Sequence, residues 1–171
     1  MFAPLDCLDV EFKTKTIGIE GKKVKMQISD VTGSNRFRGV SRPYYRGAMG
    51  FLLCYAINDR RSFEFIECWM GEIRNFASDD VCIVLVGNKS DLTDERVVST
   101  EEGRKLADSH SIKFFETSAK ENVNVNEAFQ ALARDIIEAQ SKKKGGNQEV
   151  GTQLNLRENN PRVQINRFKC F

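Results

Sequence analysis

Asn88-Lys89-Ser90-Asp91 follows the apolar run VCIVLVG, and Thr117-Ser118-Ala119-Lys120 follows KFFE. A carboxylate just beyond a buried strand can accept hydrogen bonds from two adjacent N–H donors, which guanine offers and adenine lacks. A lysine two residues earlier can lay its methylene stem over a base. The backbone N–H groups of Ser118 and Ala119 can meet an exocyclic oxygen. N-K-S-D is equally a good polar turn before a helix. The S-A-K string after the next strand tips the reading towards a base site.

A third polar string, Asp30-Val31-Thr32-Gly33, sits in QISDVTGSNRF after an alternating strand. It suits a nucleotide switch, with an acid near a metal and a glycine amide near a terminal phosphate. A phosphate partner is missing from the printed residues, because no GxxxxGK[S/T] occurs in the 171. Gly21-Lys22-Lys23 is the nearest string; it lies in a hairpin and lacks the preceding glycine and the hydroxyl.

The elements that must position these strings alternate along the chain. Residues 10–17 and 23–28 alternate apolar and polar around Glu20-Gly21, which predicts a hairpin. Residues 51–57 (FLLCYAI) and 82–86 (CIVLV) are short apolar runs typical of strands buried on both faces. Residues 62–77 space apolar side chains helically after Asp59 as N-cap, and Ser99 with Glu102 forms a capping-box pattern opening a helix over 100–110. KFFET at 113–117 is a strand, and Val125, Ala128, Phe129, Leu132, Ala133 and Ile136 mark a last helix. Such alternation predicts a parallel sheet with helices on both faces.

Hydrophobic content of 40% and 29% charge describe an ordinary globular chain, and no apolar run is long enough to span a bilayer. Five cysteines, at 7, 54, 68, 82 and 170, show no paired spacing, which points to a reduced, cytosolic setting. From Lys142 onward seven Lys/Arg face two acids, so this tail carries +5 and the body −3. That balance argues against a nucleic-acid-binding domain and suits an arm approaching anionic membrane, or a merely solvated tail. Residues 142–171 are expected to form a flexible basic arm beyond a domain at 1–141.

NKSD, ETSAK, DVTG and FRGVSRPYYRGAMGFLLCY resemble the Rab family of Ras-like small GTPases. YYRGAMG, GRKLADSHSIKFFETSAKENVNV and EAFQALARDI look closest to its secretory branch, and the resemblance runs from about Asp6 to Gln140. It implies an α/β, P-loop NTPase-like sheet with flanking helices, here without the first strand, phosphate loop and first helix. It also implies a guanine-nucleotide switch that recruits effectors to transport vesicles, tethered by a prenylated C-terminus. Asn88, Lys89, Asp91, Ser118, Ala119, Lys120 and Gly33 would bind GTP or GDP. Asp30 would stand near Mg²⁺, and Phe12 and Tyr44 would remain of an effector patch. Cys170 is the candidate lipidation site, with an unmodified tail cysteine as the alternative.

Several positions depart from the family pattern. Cys7 replaces the threonine that ligates Mg²⁺, and a neutral thiol suits a hard cation poorly. Asp9 replaces a glycine, and Ser34 replaces the glutamine that orients attacking water. Ser29 replaces an aromatic of the effector patch, Pro43 enters the second switch, and Ala56 replaces an Asp. The expectation is guanine binding weaker than about 10 µM, poorly held Mg²⁺ and negligible hydrolysis.

By family topology the missing strand belongs between the strands at 23–28 and 51–57, so two apolar strand edges should lie open or be forced together. The chain is expected to be an incomplete record of a full GTPase, a pseudo-GTPase interaction module, or a product that does not fold. Expected partners are Rab-type effectors, exchange factors and escort or GDI-like proteins, at the cytosol and the cytoplasmic face of secretory membranes.

Overall fold

A computed structural model describes residues 12–30, 45–145 and 163–170, with the backbone alone for 12, 22, 144–145 and 163–170. Strands β1 (Phe12–Ile19) and β2 (Lys22–Asp30) form the expected hairpin, antiparallel and in register from Phe12 opposite Ser29 to Ile19 opposite Lys22. Glu20 (φ 49°) and Gly21 (φ 76°) both take left-handed backbone, the requirement of the two-residue turn that matches strand twist.

Strands β3 (Gly50–Ala56), β4 (Cys82–Asn88) and β5 (Lys113–Glu116) are parallel to one another. Helix α1 (Arg60–Phe76) joins β3 to β4, α2 (Thr100–Ser109) joins β4 to β5, and α3 (Val125–Gly145) follows β5. Both expected caps are present. Asp59 Oδ1 accepts from the amides of Arg61 and Ser62 at 3.0 and 3.2 Å. Ser99 and Glu102 close a reciprocal capping box.

The helices divide between the faces as the alternation requires. Phe51, Leu53 and Tyr55 of β3 face α1 and α2, packed with Ile66, Trp69, Met70, Ile73 and Ala107. Leu52 joins Val84 and Val86 on the other face beneath Leu132, Ala133 and Ile136 of α3. Gly50 makes that seat close, since a Cβ there would stand 2.8 Å from Ile136 Cδ1. None of the described helices is long and apolar enough to cross a membrane.

The centre of the sheet differs from expectation. The strand order is β1-β2-β6-β3-β4-β5, where β6 is Val163–Cys170. The gap expected between β2 and β3 is filled by the far end of the same chain. β6 runs parallel to both neighbours, pairing from Val24↔Val163 to Asp30↔Cys170 on one side and from Gly50↔Phe168 to Leu52↔Cys170 on the other. The tail therefore departs from the expected flexible arm in two places: α3 continues through Lys142 to Gly145, and Val163–Cys170 is strand. Exposed apolar edges in a sheet centre are costly, and pairing both of them satisfies two rows of backbone groups at once.

Candidate functional site

The two expected base loops leave adjacent strands at their carboxyl ends, where open parallel sheets hold ligands. Thr117 N donates to Gly87 O at 2.9 Å and Ser90 N to Thr117 O at 3.0 Å, so the backbone ladder continues past β5 and ties the loops together. Lys89 adopts φ 64°, a left-handed turn that swings the chain off β4.

Side chains complete the link. Ser118 Oγ donates to Asp91 Oδ1 at 2.6 Å, and Lys120 Nζ stands 3.9 Å from Asp91 Oδ2. Thr117 Oγ1 and the Ala119 amide both reach Asn88 Oδ1 at 3.3 Å. Asp91 keeps only 7% of its side-chain surface, whereas the Lys120 side chain is 77% exposed. The Ser118 hydrogen bond, helped by the Asp91 backbone amide and by Lys120 and Lys89, holds the Asp91 carboxyl below the usual carboxylate range. A part-buried, ionised acceptor is thus held between the loops near an amide whose own contact is long. This donor and acceptor set is of the kind a guanine edge requires: Asp91 would face ring N–H groups and Ala119 N the exocyclic oxygen.

The loop after β5 is held from behind by residues that sequence reasoning missed. Arg96 donates to both Glu116 oxygens, Nη1 to Oε1 at 2.6 Å and Nη2 to Oε2 at 3.1 Å, and Thr100 Oγ1 adds a contact at 3.0 Å. Asn124 Nδ2 donates to the Glu116 carbonyl at 2.9 Å. Arg96 and Glu116 lie 20 residues apart with no repeating pattern to connect them, so only the fold reveals the pair. A second fork, Arg60 to Glu102, ties α1 to α2 at 2.6 and 3.3 Å.

Beside the base loops a cavity of about 220 Å³ opens on the α3 face, lined by Leu52, Cys54, Val86, Val125, Ala128 and Phe129 with Asn88, Thr117 and Ala119 at its polar rim. Two larger hollows, of about 390 and 530 Å³, share Val81 and Cys82 at the opposite end of β4. Burial pushes the Cys82 thiol up to about 11, which keeps it neutral and poorly nucleophilic.

Of the residues expected on the phosphate side, Asp30 is described and Gly33 is not. Asp30 ends β2 exposed, paired in register with Cys170. It lies three inter-strand steps across the order β2-β6-β3-β4 from β4, roughly 14 Å, level with Val84, and Asn88 is four residues, roughly 13 Å, further along that strand. Among the described residues no group of three or more His, Cys, Asp or Glu is placed to hold a metal. Phe12 opens β1 opposite Ser29, whose buried hydroxyl has no hydrogen-bond partner among the described residues. Cys7, Gly33, Ser34 and Tyr44 lie outside the described residues, and Cys170 is described by its backbone alone.

A family model described as Ras family matches residues 5–138. The chain is 47% identical over 148 residues to Ras-related protein Rab-8A of Gallus gallus, covering 86% of the chain and 72% of that protein. It is 43% identical over 166 residues to Ras-related protein Rab-13 of Canis lupus familiaris, covering 97% and 80%. It is 48% identical over 129 residues to GTP-binding protein ypt2 of Schizosaccharomyces pombe, covering 75% and 64%.

Proposed function

Starting from a chain that belongs to the Ras family, in its secretory Rab branch, we propose a regulator of vesicle traffic whose 171 residues retain guanine recognition and bind GDP or GTP weakly. The observation that carries this reading is the Ser118–Asp91 hydrogen bond of 2.6 Å, which fixes a part-buried carboxylate between the two proposed base loops. Asn88 holds the second loop against the first, Lys89 and Lys120 flank the base, and Ala119 N meets its oxygen. GTP, when bound, supplies the γ-phosphate that a switch reads. The residues above address only its base.

Phosphate and Mg²⁺ binding are the weak half. Asp30 offers one exposed carboxylate well away from the base loops, and Mg²⁺ favours several oxygen ligands in octahedral array. With Ser34 at the glutamine position and Cys7 at the threonine position, hydrolysis by these residues is negligible. Rab-type effectors, exchange factors and escort proteins are the partners. The basic tail and a lipid on Cys170 would direct the chain to the cytoplasmic face of secretory membranes.

Calorimetric titration with GDP and a GTP analogue, with and without Mg²⁺, tests this. The expected result is a dissociation constant above about 10 µM, indifferent to Mg²⁺, with GDP preferred over ADP and the preference removed by Asp91→Ala. Nanomolar, Mg²⁺-dependent binding would overturn it. A second reading, a nucleotide-independent interaction module, is favoured by the strand that ends at Cys170 beside Asp30 on the phosphate side. It predicts effector binding that is the same with GDP, GTP analogue or neither.

A further inference from the structure

β6 joins two parts of the sheet that share no other strand pairing among the described residues: the β1–β2 hairpin on one side and β3–β5 on the other. Its attachment is unequal. Six residue pairs bind it to β2 and three to β3, where the last β3 partner is Leu52 and Leu53–Ala56 continue without it.

The segment matches this slot in one particular way. Val24, Met26 and Leu52 are buried in the core beneath α3, with Ile28 packed against it. Val163, Ile165 and Phe168 pair with Val24, Met26 and Ile28, and Cys170 pairs with Leu52. Paired residues of parallel strands share a sheet face, so all four apolar positions fall on the α3 face. Strict alternation would not allow it, because residues 163 and 165 are odd and 168 and 170 even. The register shift between Met26 and Ile28 sets one extra β6 residue against Gln27 and restores the parity.

The segment can reach the slot from its own chain. Seventeen residues, 146–162, connect α3 to β6. Extended, such a length spans up to about 60 Å, ample for a domain of this size. A tether of this kind gives an effective concentration near millimolar, well above micromolar protein.

We infer that the slot between β2 and β3 is a strand-acceptor site whose ligand is this chain's own Val163–Cys170 segment, bound in cis and separable from the domain. While docked, the backbone at Cys170 is paired on both sides, to Asp30 and to Leu52. An enzyme or membrane that needs residues 163–170 as a free extended peptide must wait for release. The consequence for lipidation rests on the reading of Cys170 as the tethering cysteine, whereas the acceptor site does not depend on guanine binding or on that reading.

Hydrogen exchange and limited trypsin digestion of the full 171-residue chain, at micromolar concentration, test the inference. Amides of residues 164–169 should exchange at least about 100-fold more slowly than in a free peptide of the same sequence. Cleavage after Arg167 and Lys169 should be correspondingly slow. In Ile165→Pro, which removes a strand N–H, protection of 164–169 should vanish and that of β1–β2 should fall with it, while β4 and α2 stay protected. If that variant does not fold, the slot has proved essential, provided a peptide of residues 162–171 restores protection of β2 in trans and a scrambled peptide does not.

Free-peptide exchange rates for residues 164–169 in the wild-type chain would overturn the proposal. So would loss of their protection on dilution with a dimer mass by light scattering, which would put the segment in a second copy. Unchanged β1–β2 protection in Ile165→Pro would do so too. Failure of the guanine titration leaves these readouts untouched.

Discussion

Replacing Arg96 with alanine would show how the second base loop is held. Its guanidinium spans both Glu116 oxygens at 2.6 and 3.1 Å and also donates to the Val98 carbonyl at 3.1 Å. The two side chains keep 24% and 19% of their surface, so the pair is neither fully wet nor fully dry. Exposed ion pairs contribute about 0–1 kcal/mol, and hydrogen bonds to charged groups about 1.5–3 kcal/mol. Thr100 Oγ1 still serves Glu116 at 3.0 Å after the arginine is gone, which offsets part of the loss. The expected destabilisation is about 1.5–2.5 kcal/mol, a fall of roughly 4–8 °C in Tm for a chain of this size. Arg96→Lys should recover less than half, because one ammonium cannot bridge two oxygens at fork geometry. Urea denaturation followed by circular dichroism gives the free energies. A cycle with Glu116→Gln should show coupling of at least about 1 kcal/mol. Exchange of the amides at 117–121 should rise more than that of β4. A loss below about 0.5 kcal/mol, with lysine equal to arginine, would mean that the fork does not brace the loop.

Glycine substitutions on two helices should move stability in opposite directions. A Cβ on Gly103 of α2 would stand 2.4 Å from Tyr55 Oη and 2.5 Å from Phe114 Cζ, so Gly103→Ala should lower stability by about 1–2 kcal/mol despite the better helix propensity of alanine. Gly71→Ala on α1 meets nothing within 4 Å and should gain about 0.5–1 kcal/mol; thermal melts of the pair give the signs. Acid should weaken the capping box of α2. The Arg60 hydrogen bond, followed by those from the Ser99 amide and hydroxyl, holds the Glu102 carboxyl down to about 2. Because the folded value is depressed, its stabilisation is present above about pH 4.5 and is lost as pH falls towards 2. Carboxyl ¹³C NMR should find a Glu102 midpoint near 2 that rises in Arg60→Met.

Local features were the legible ones. Glu20-Gly21 announces the hairpin because both positions need left-handed backbone, and Asp59 and the Ser99–Glu102 pair announce helix starts through amides three residues away. That the two polar loops meet was readable because each string lies within four residues at the end of a strand. β6 was not. VQINRFKC mixes Arg167, Lys169 and Asn166 with apolar residues whose spacing switches from odd to even at the bulge, and a period-2 search presumes one parity throughout. Its partners lie more than a hundred residues away, where no sequence pattern points.

The residues proposed for the base and for the phosphate side therefore rest on different parts of the sheet. The base loops are carried by β4 and β5, and β4 pairs with β3 along its whole length to Ala56↔Asn88. β6 reaches only as far as Leu52 on β3, four residues short of that end. Docking or release of the tail strand can thus pass by the Asp91–Ser118 link without breaking any backbone pair that holds it. Asp30 has no such independence, since its parallel partner is Cys170 and its other neighbours belong to the hairpin that β6 ties to the sheet. The expected base loops are framed by β3–β5, whereas Asp30 is placed by its pairing with Cys170. A nucleotide contacting both sides would couple the tail to the base. One held by the base loops alone would leave the tail free to dock or release on its own terms.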